Sequence, residues 1–89
     1  MKFIYTSHAE EKLTEREPKK LGIDKRKIQE IVQNPEVIDE SDKPVLMAIG
    51  ELDNDHSLCV IYRYIQERIL IITFFPAKKG RYELKILSR

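Results

Sequence analysis

The sequence predicts an α+β domain in which two N-terminal helices pack on one face of an antiparallel β-sheet. Helical patterns precede Pro35, and after it the apolar residues recur with a period of two, as in strands. The predicted order, β-α-α-β-β-β-β, separates the helices from most of the strands, which is typical of α+β folds. The 89 residues show no repeats and no change in composition, which predicts a single domain over 1–89.

The N-terminal segment predicts a strand followed by a helix. Residues 2–6 alternate and are rich in β-formers. Ser7 and Glu10 have the S-x-x-E spacing of a capping box, in which the hydroxyl accepts a hydrogen bond from the backbone N–H three residues on. A helix over about 8–16 is therefore expected, and Pro18 ends it.

A second helix is predicted over about 25–34, after a polar connector at 17–22. Asp24 can accept a hydrogen bond from the first turn of this helix, and Pro35 stops it. The apolar residues of the helix are spaced as one face and consist of Ile28, Ile31 and Val32.

The remainder of the chain predicts strands joined by short turns. Residues 53–55 (DND) favour a turn, and residues 66–67 are short enough for a tight hairpin. The predicted strands lie near 36–40, 45–52, 57–65, 68–75 and, with a weaker pattern, 81–87.

Strands 57–65 and 68–75 carry apolar residues on both sides. In the second strand, strict alternation places Leu70, Ile72 and Phe74 on one side and Ile69, Ile71, Thr73 and Phe75 on the other. Because the helices cover only one face of the sheet, the other face would expose apolar surface. A homodimer or a bound partner protein at that face would account for the surplus.

The composition is that of an ordinary globular protein, with 42% hydrophobic and 35% charged residues. The sequence shows no run of about 18 apolar residues and no signal-peptide pattern, so we expect a soluble cytoplasmic protein with no membrane contact. The single Cys59 lies in an apolar run and is interpreted as a small core residue.

The net charge of +1 conceals an uneven distribution. Residues 36–56 contain seven acidic residues and Lys43, a sum of −6, whereas residues 76–89 contain five cations and Glu83, a sum of +4. An anion such as RNA could meet the basic end, although both segments also suit solvated turns and edge strands.

A few side chains are candidates for chemistry on a phosphate. Arg63 lies between two tyrosines in an apolar strand, so its guanidinium must reach water, a carboxylate or an anion. Arg81 and Tyr82 follow a glycine and could point back over the sheet edge. His8 is in a first helical turn, where the dipole disfavours its protonated form, and it could act as a base or bond to a neighbouring loop. His56 lies in the acidic turn and is interpreted as a surface residue.

Three segments carry a resemblance to a known family: TSHAEEKLTER at 6–16, DKRKIQEIVQNPEVI at 24–38, and IG…LCVIYRY…RILIITFFPAKKGRY over 49–82. In their order and spacing they resemble RelE/ParE-type toxins, and in pattern most of all BrnT-type toxins. The resemblance covers most of the chain. It implies a RelE/ParE-like α+β toxin fold, a cognate antitoxin as partner, and metal-independent cleavage of RNA without a cofactor, in which the ribose 2′-OH attacks the adjacent phosphate.

The same resemblance implies roles for particular residues. The candidate catalytic residues are Arg63, Arg81, Tyr82 and His8. The candidate RNA-binding residues are Lys78, Lys79, Thr73 and Phe75, and no metal ligands are expected. The chain departs from BrnT-type toxins at Phe75, which stands where they have an arginine. Arg63 could replace that cation if its strand places it beside Thr73.

Two other functions stay open on the sequence. The chain could be a catalytically inactive toxin-fold module that binds a protein partner through its apolar face. It could also bind nucleic acid without cleaving it, with the basic end on phosphates and Phe75 or the tyrosines stacked on bases.

Overall fold

The computed structural model describes residues 1–87, which form a five-stranded sheet and four short helices. Arg89, one of the cations counted in the basic end, lies outside the described residues. The elements are β1 (Lys2–Tyr5), α1 (Ser7–Lys12), α2 (Arg16–Lys20), α3 (Lys25–Gln33), β2 (Val37–Asp39), β3 (Leu46–Glu51), β4 (His56–Ile65), β5 (Arg68–Lys78) and α4 (Glu83–Leu87).

The sheet has the strand order β1-β5-β4-β3-β2 and is mixed. Strands β2 to β5 form an antiparallel meander, but β1 pairs in parallel with β5, from Lys2 opposite Arg68 to Tyr5 opposite Ile71. The α+β class is confirmed, and the prediction of a purely antiparallel sheet is wrong. The helices carry the chain from β1 to the opposite edge, and the meander then returns β5 alongside β1 in the same direction.

The first helix begins one residue earlier than predicted. Its N-cap is Thr6, whose hydroxyl accepts a hydrogen bond from the Ala9 N–H at 3.1 Å, so the predicted cap at Ser7 is wrong. The helix ends at Lys12, and the predicted connector at 17–22 contains α2 instead. Pro18 lies in the first turn of α2, where a residue without an N–H is tolerated because that turn has no intrahelical acceptor for it.

The third helix confirms the prediction made for residues 25–34. Asp24 Oδ1 accepts a hydrogen bond from the Lys27 N–H at 2.8 Å, which caps the helix. Its apolar stripe packs on the sheet with Ala9 of α1. We call this the helix-side core, and its members include Ile28, Ile31, Leu58, Val60, Tyr62, Ile71 and Phe74.

A register shift in the β4–β5 pair changes which residues of β5 face the helices. Ile61 pairs with Thr73, but Tyr62 pairs with Ile71, so Ile72 is an extra residue on β5. Ile71 and Phe74 therefore both enter the helix-side core. The predicted alternation, which put them on opposite sides, is wrong beyond this bulge.

The sheet surface opposite the helix-side core, here called the far face, is partly covered by α4. A strand was predicted over 81–87, and the structure has a helix there. Gly80 has a φ of 89° and turns the chain off β5, which favours a helix over a continued strand. Tyr82 and Ile86 then pack over a small second core of Ile49, Cys59 and Ala77.

Strand β5 extends past its predicted end at residue 75 to Lys78 and includes Pro76. A proline within a sheet needs an edge position, because it has no N–H for a ladder hydrogen bond. Strand β1 pairs only with residues 68–71 of β5, which leaves Pro76 on an open edge of the sheet. This open edge positions the candidate site.

Candidate phosphate-binding cleft

The open edge of β5 and the helix α2 enclose a cleft of about 350 Å³. We call it the cationic cleft, and its charged and titratable lining residues are Glu17, Lys20, His56, Lys78 and Arg81. Glu17 and Lys20 come from α2, His56 begins β4, Lys78 ends β5, and Arg81 follows the Gly80 turn. Four separate segments thus converge here, with three permanent cations and one carboxylate.

The three cations of the cleft are available to a ligand. Within residues 1–87, Lys20, Lys78 and Arg81 have no salt bridge and no side-chain hydrogen bond. All three residues are exposed, so their charges are solvated and carry no burial penalty. Three cations against the single carboxylate of Glu17 leave the cleft with a net positive charge, which attracts anions, and a guanidinium can contact two phosphate oxygens at once.

The imidazole of His56 is oriented by Asp53 in the β3–β4 turn. Its Nδ1 lies 2.9 Å from Asp53 Oδ1 and 3.1 Å from Oδ2. Oδ1 also accepts the backbone N–H groups of Asp55 and His56, each at 2.8 Å. The hydrogen bonds from Asp55 and His56 hold the pKa of Asp53 below its usual value, so the carboxylate is ionised at neutral pH. The turn predicted at 53–55 is confirmed.

The acidic and basic segments of the sequence meet in space rather than forming separate surfaces. Lys79 Nζ lies 2.6 Å from Glu51 Oε1, and the Lys79 N–H donates to the Asp55 carbonyl at 3.0 Å. His56 is the cross-strand partner of Lys78. One charge of the basic end is therefore neutralised by Glu51 of the acidic segment: Lys79 forms a salt bridge within residues 1–87, and Lys78 does not.

Two of the eight candidate residues from the sequence, Lys78 and Arg81, lie together in the cleft. His8 lies further along the open edge, where its Nε2 is 3.1 Å from Thr73 Oγ1. The sequence analysis gave a bond to a neighbouring loop as one alternative for His8. His8 contacts a strand residue instead.

Phe75 and Tyr82 lie at the far face, packed edge to face with ring centroids 5.8 Å apart beneath α4. Arg63 pairs across the strands with Leu70, whereas Thr73 pairs with Ile61, so Arg63 is not the neighbour of Thr73. The condition under which Arg63 would replace the arginine missing at Phe75 is therefore not met.

Sequence reasoning missed Glu17, Lys20 and His56 as members of this cleft. The first two were assigned to a polar connector. They line the same cleft only because the connector forms α2 beside the sheet edge. His56 carried a usable signal, since an Asp three residues before a His in a tight turn can reach the ring. His56 is distant in sequence from α2 and from the end of β5, so the sequence did not show that it lies beside them.

No cluster of three or more metal-ligating side chains occurs within residues 1–87. In that same range, no helix has the length and apolar character needed to cross a membrane.

The fold and the cleft define a small α+β domain with a mixed five-stranded sheet, short helices on both faces and a cationic pocket at one sheet edge. A family described as a domain of unknown function (DUF4258) matches residues 5–76, and the chain belongs to this family. The match begins at the end of β1 and ends at Pro76, so it covers α1, α2, α3 and most of the sheet but stops short of Lys78 and Arg81. No curated protein and no solved structure matches the chain.

Proposed function

We propose that this protein is a RelE/BrnT-like toxin-type domain that binds RNA in the cationic cleft and cleaves it without a metal ion. The observation that carries the proposal is the convergence of Lys20, Lys78 and Arg81 in one cleft, where none of the three forms a salt bridge within residues 1–87. The resemblance of three sequence segments to BrnT-type toxins supports the toxin class and the metal-independent chemistry.

The cleft supplies the charge that phosphodiester cleavage requires. When a 2′-oxygen attacks phosphorus, negative charge accumulates on the non-bridging oxygens in the transition state. Arg81 can contact two of these oxygens, and Lys20 and Lys78 add two further positive charges to the same cleft. Cations close to these oxygens lower the barrier because they stabilise the charge that develops in the transition state.

The open edge of β5 offers a path for the rest of the strand. It runs from Thr73, which contacts His8, to Lys78 at the cleft. These two residues are five positions apart, which is roughly 16 Å along a strand. An extended single-stranded RNA could contact both places, with its scissile phosphate in the cleft and a neighbouring nucleotide near His8.

A cleavage assay in EDTA tests the proposal directly. We expect the purified protein to cleave single-stranded RNA in excess EDTA, giving a 2′,3′-cyclic phosphate and a 5′-hydroxyl. Arg81→Gln should slow cleavage by about 10²- to 10³-fold, because one charged hydrogen-bond donor to the transition state is lost. The matched control is Arg26→Gln, since Arg26 is an exposed arginine on α3 outside the cleft. Absence of cleavage in EDTA, or equal loss in both variants, would contradict the proposal.

Binding can be tested separately with two adjacent lysines of α2. Lys20 lines the cleft, whereas Lys19 is exposed and does not line it. We expect Lys20→Gln to reduce the slope of log affinity against log salt by about 0.7, the value for one phosphate contact on a single strand. Lys19→Gln should leave that slope unchanged. Equal slopes in the two variants would exclude Lys20 as a phosphate contact.

A second candidate function, a binding module for an antitoxin-like partner protein, is favoured by Arg63. The Arg63 Nε is buried and has no hydrogen-bond partner within residues 1–87, which is an unfavourable state for a charged group. Half-buried Ile61 and Leu70 lie near it on the far face, and Leu84 and Leu87 of α4 are 70% and 71% exposed. A partner segment that presents a carboxylate among apolar side chains would satisfy both features.

This second candidate is tested by coexpression with the product of an adjacent open reading frame. We expect a stable complex that Arg63→Gln weakens at least tenfold, while Arg68→Gln at the exposed hairpin end has little effect. If the protein instead forms a homodimer that Arg63→Gln dissociates, the partner at this surface is a second copy of this chain. A complex equally strong in both variants would remove Arg63 from the interface.

A further inference from the structure

The hydrogen bond between Asp53 and His56 fixes which nitrogen of the His56 ring carries the proton. Asp53 is a hydrogen-bond acceptor, so the His56 Nδ1 that contacts it at 2.9 Å must carry the proton. In the neutral imidazole, Nε2 then holds a free lone pair. No side-chain hydrogen bond to this Nε2 occurs within residues 1–87, and His56 lines the cationic cleft.

The position of His56 relative to the cations suits it to act on a bound phosphodiester. It lies directly opposite Lys78 in the β4–β5 register and shares the cleft with Lys20 and Arg81. A phosphate held by these cations would lie in the same cleft as the His56 ring. His8, in contrast, has its Nε2 engaged with Thr73 away from the cleft lining.

We infer that His56 is the general base of this site and that Asp53 positions it; the inference rests on the proposed ribonuclease function. Nε2 of neutral His56 takes the proton of the ribose 2′-OH, and O2′ forms a bond to phosphorus. The P–O5′ bond breaks, and O5′ takes a proton from water, which reaches the cleft because Lys78 and Arg81 are exposed. The products are a 2′,3′-cyclic phosphate and a 5′-hydroxyl, and the imidazolium returns its proton to solvent.

Two carboxylates and three cations surround His56 in the cleft. The Asp53 carboxylate contacts the ring directly, and Glu17 faces the cleft from α2. Lys20, Lys78 and Arg81 face it as cations from α2, β5 and the following turn. The cations would hold a phosphodiester in the same cleft as the ring, and Asp53 leaves Nε2 as the nitrogen that can accept a proton.

The first test is His56→Gln under single-turnover conditions in EDTA. We expect cleavage to slow by about 10²- to 10⁴-fold, the usual contribution of a general base. Affinity for a 2′-O-methyl oligonucleotide, which lacks the attacking hydroxyl, should stay within about twofold. Added imidazole should restore part of the rate. Undiminished cleavage by a folded His56→Gln variant would overturn the inference and leave the proposed function standing.

A second pair of variants tests the positioning role and does not require substitution of the histidine. Asp53→Asn keeps an oxygen for the Asp55 and His56 N–H groups but removes the negative charge beside the ring. It should slow single-turnover cleavage, because an amide does not fix the proton on Nδ1, while affinity for the 2′-O-methyl oligonucleotide stays unchanged. Asp55→Asn, whose carboxylate does not contact the ring, is the matched control and should not slow cleavage. Undiminished cleavage by Asp53→Asn would overturn the inference, and absence of cleavage by the wild type would overturn both it and the proposed function.

Discussion

The Ser57 hydroxyl, completely buried in β4, donates a 2.5 Å hydrogen bond to the Glu83 carboxylate at the start of α4. The same oxygen of Glu83 accepts the Gly80 N–H at 3.3 Å. Burial favours the neutral carboxyl, but these hydrogen bonds outweigh it and lower the pKa of Glu83. One carboxylate therefore connects the C-terminal helix to the sheet and closes the turn that carries Arg81.

Glu83→Gln should lower the free energy of unfolding by about 1 kcal/mol at pH 7, because charge-assisted hydrogen bonds become neutral ones. The folded-state pKa lies below the ordinary value of 4.5, so the contribution of Glu83 is complete above that value and is lost as the pH falls through the lowered pKa. Urea unfolding of both proteins between pH 3 and 7 measures this difference. Glu67→Gln in the exposed hairpin turn is the control. The prediction would be contradicted if the difference in free energy of unfolding between the wild type and Glu83→Gln stayed constant with pH.

Cys59 should be almost unreactive in the folded protein. It is completely buried beneath α4, and burial raises the pKa of its thiol to about 12, which disfavours the reactive thiolate. We expect a disulfide reagent at pH 8 to label it only as fast as the covering helix opens. Glu83→Gln should speed labelling, since it weakens the attachment of α4. Rapid labelling of the wild type, complete within the mixing time, would show that α4 does not cover the thiol.

Gly50→Ala should destabilise the protein by about 1–3 kcal/mol, the range for overpacking a core. A Cβ at Gly50 would lie 2.5 Å from Ile31 Cδ1, and Ile31 is itself only 3% exposed. Ile31→Val removes that methyl group, so the double variant should recover part of the loss. Urea unfolding of the four proteins gives the coupling energy, and strictly additive effects would contradict this contact.

Lys78 and Lys79 should differ in their importance for RNA, although they are adjacent. Lys79 is paired with Glu51 at 2.6 Å, whereas Lys78 lines the cleft without a salt bridge within residues 1–87. We expect Lys78→Gln to weaken RNA binding several-fold more than Lys79→Gln. Glu51→Gln should increase affinity, because it frees Lys79 and removes a negative charge. Fluorescence anisotropy at fixed salt measures all three, and equal losses in the two lysine variants would contradict the assignment.

Features with a local physical cause were predictable from the sequence. The Asp24 cap and the Ile28–Ile31–Val32 stripe predicted α3, because a cap and a helical face each depend on residues within a few positions. The 66–67 turn predicted the β4–β5 hairpin for the same reason. Lys78 and Arg81 were predicted to contact RNA, and the structure places both in the cationic cleft.

Features that depend on distant pairing were not predictable. Ile72 fits the alternating pattern of a regular strand. Only its register against β4 shows that it is a bulge, and the bulge changes the face of the sheet on which the β5 side chains beyond it lie. Residues 81–87 alternate as in a strand, but Tyr82 and Ile86 are also one helical turn apart. The helix forms because it packs Tyr82 and Ile86 against the far face of the sheet.

The sequence by itself determined the α+β class, the third helix, the central hairpin and a basic C-terminal end. Only the tertiary structure brought Lys20, His56, Lys78 and Arg81 into one cleft, set Asp53 against the His56 ring and used Lys79 to neutralise Glu51. The physical reason is that backbone periodicity and capping are short-range properties of the chain. The charge environment of a side chain is set by neighbours that the strand register and the placement of α2 bring to it.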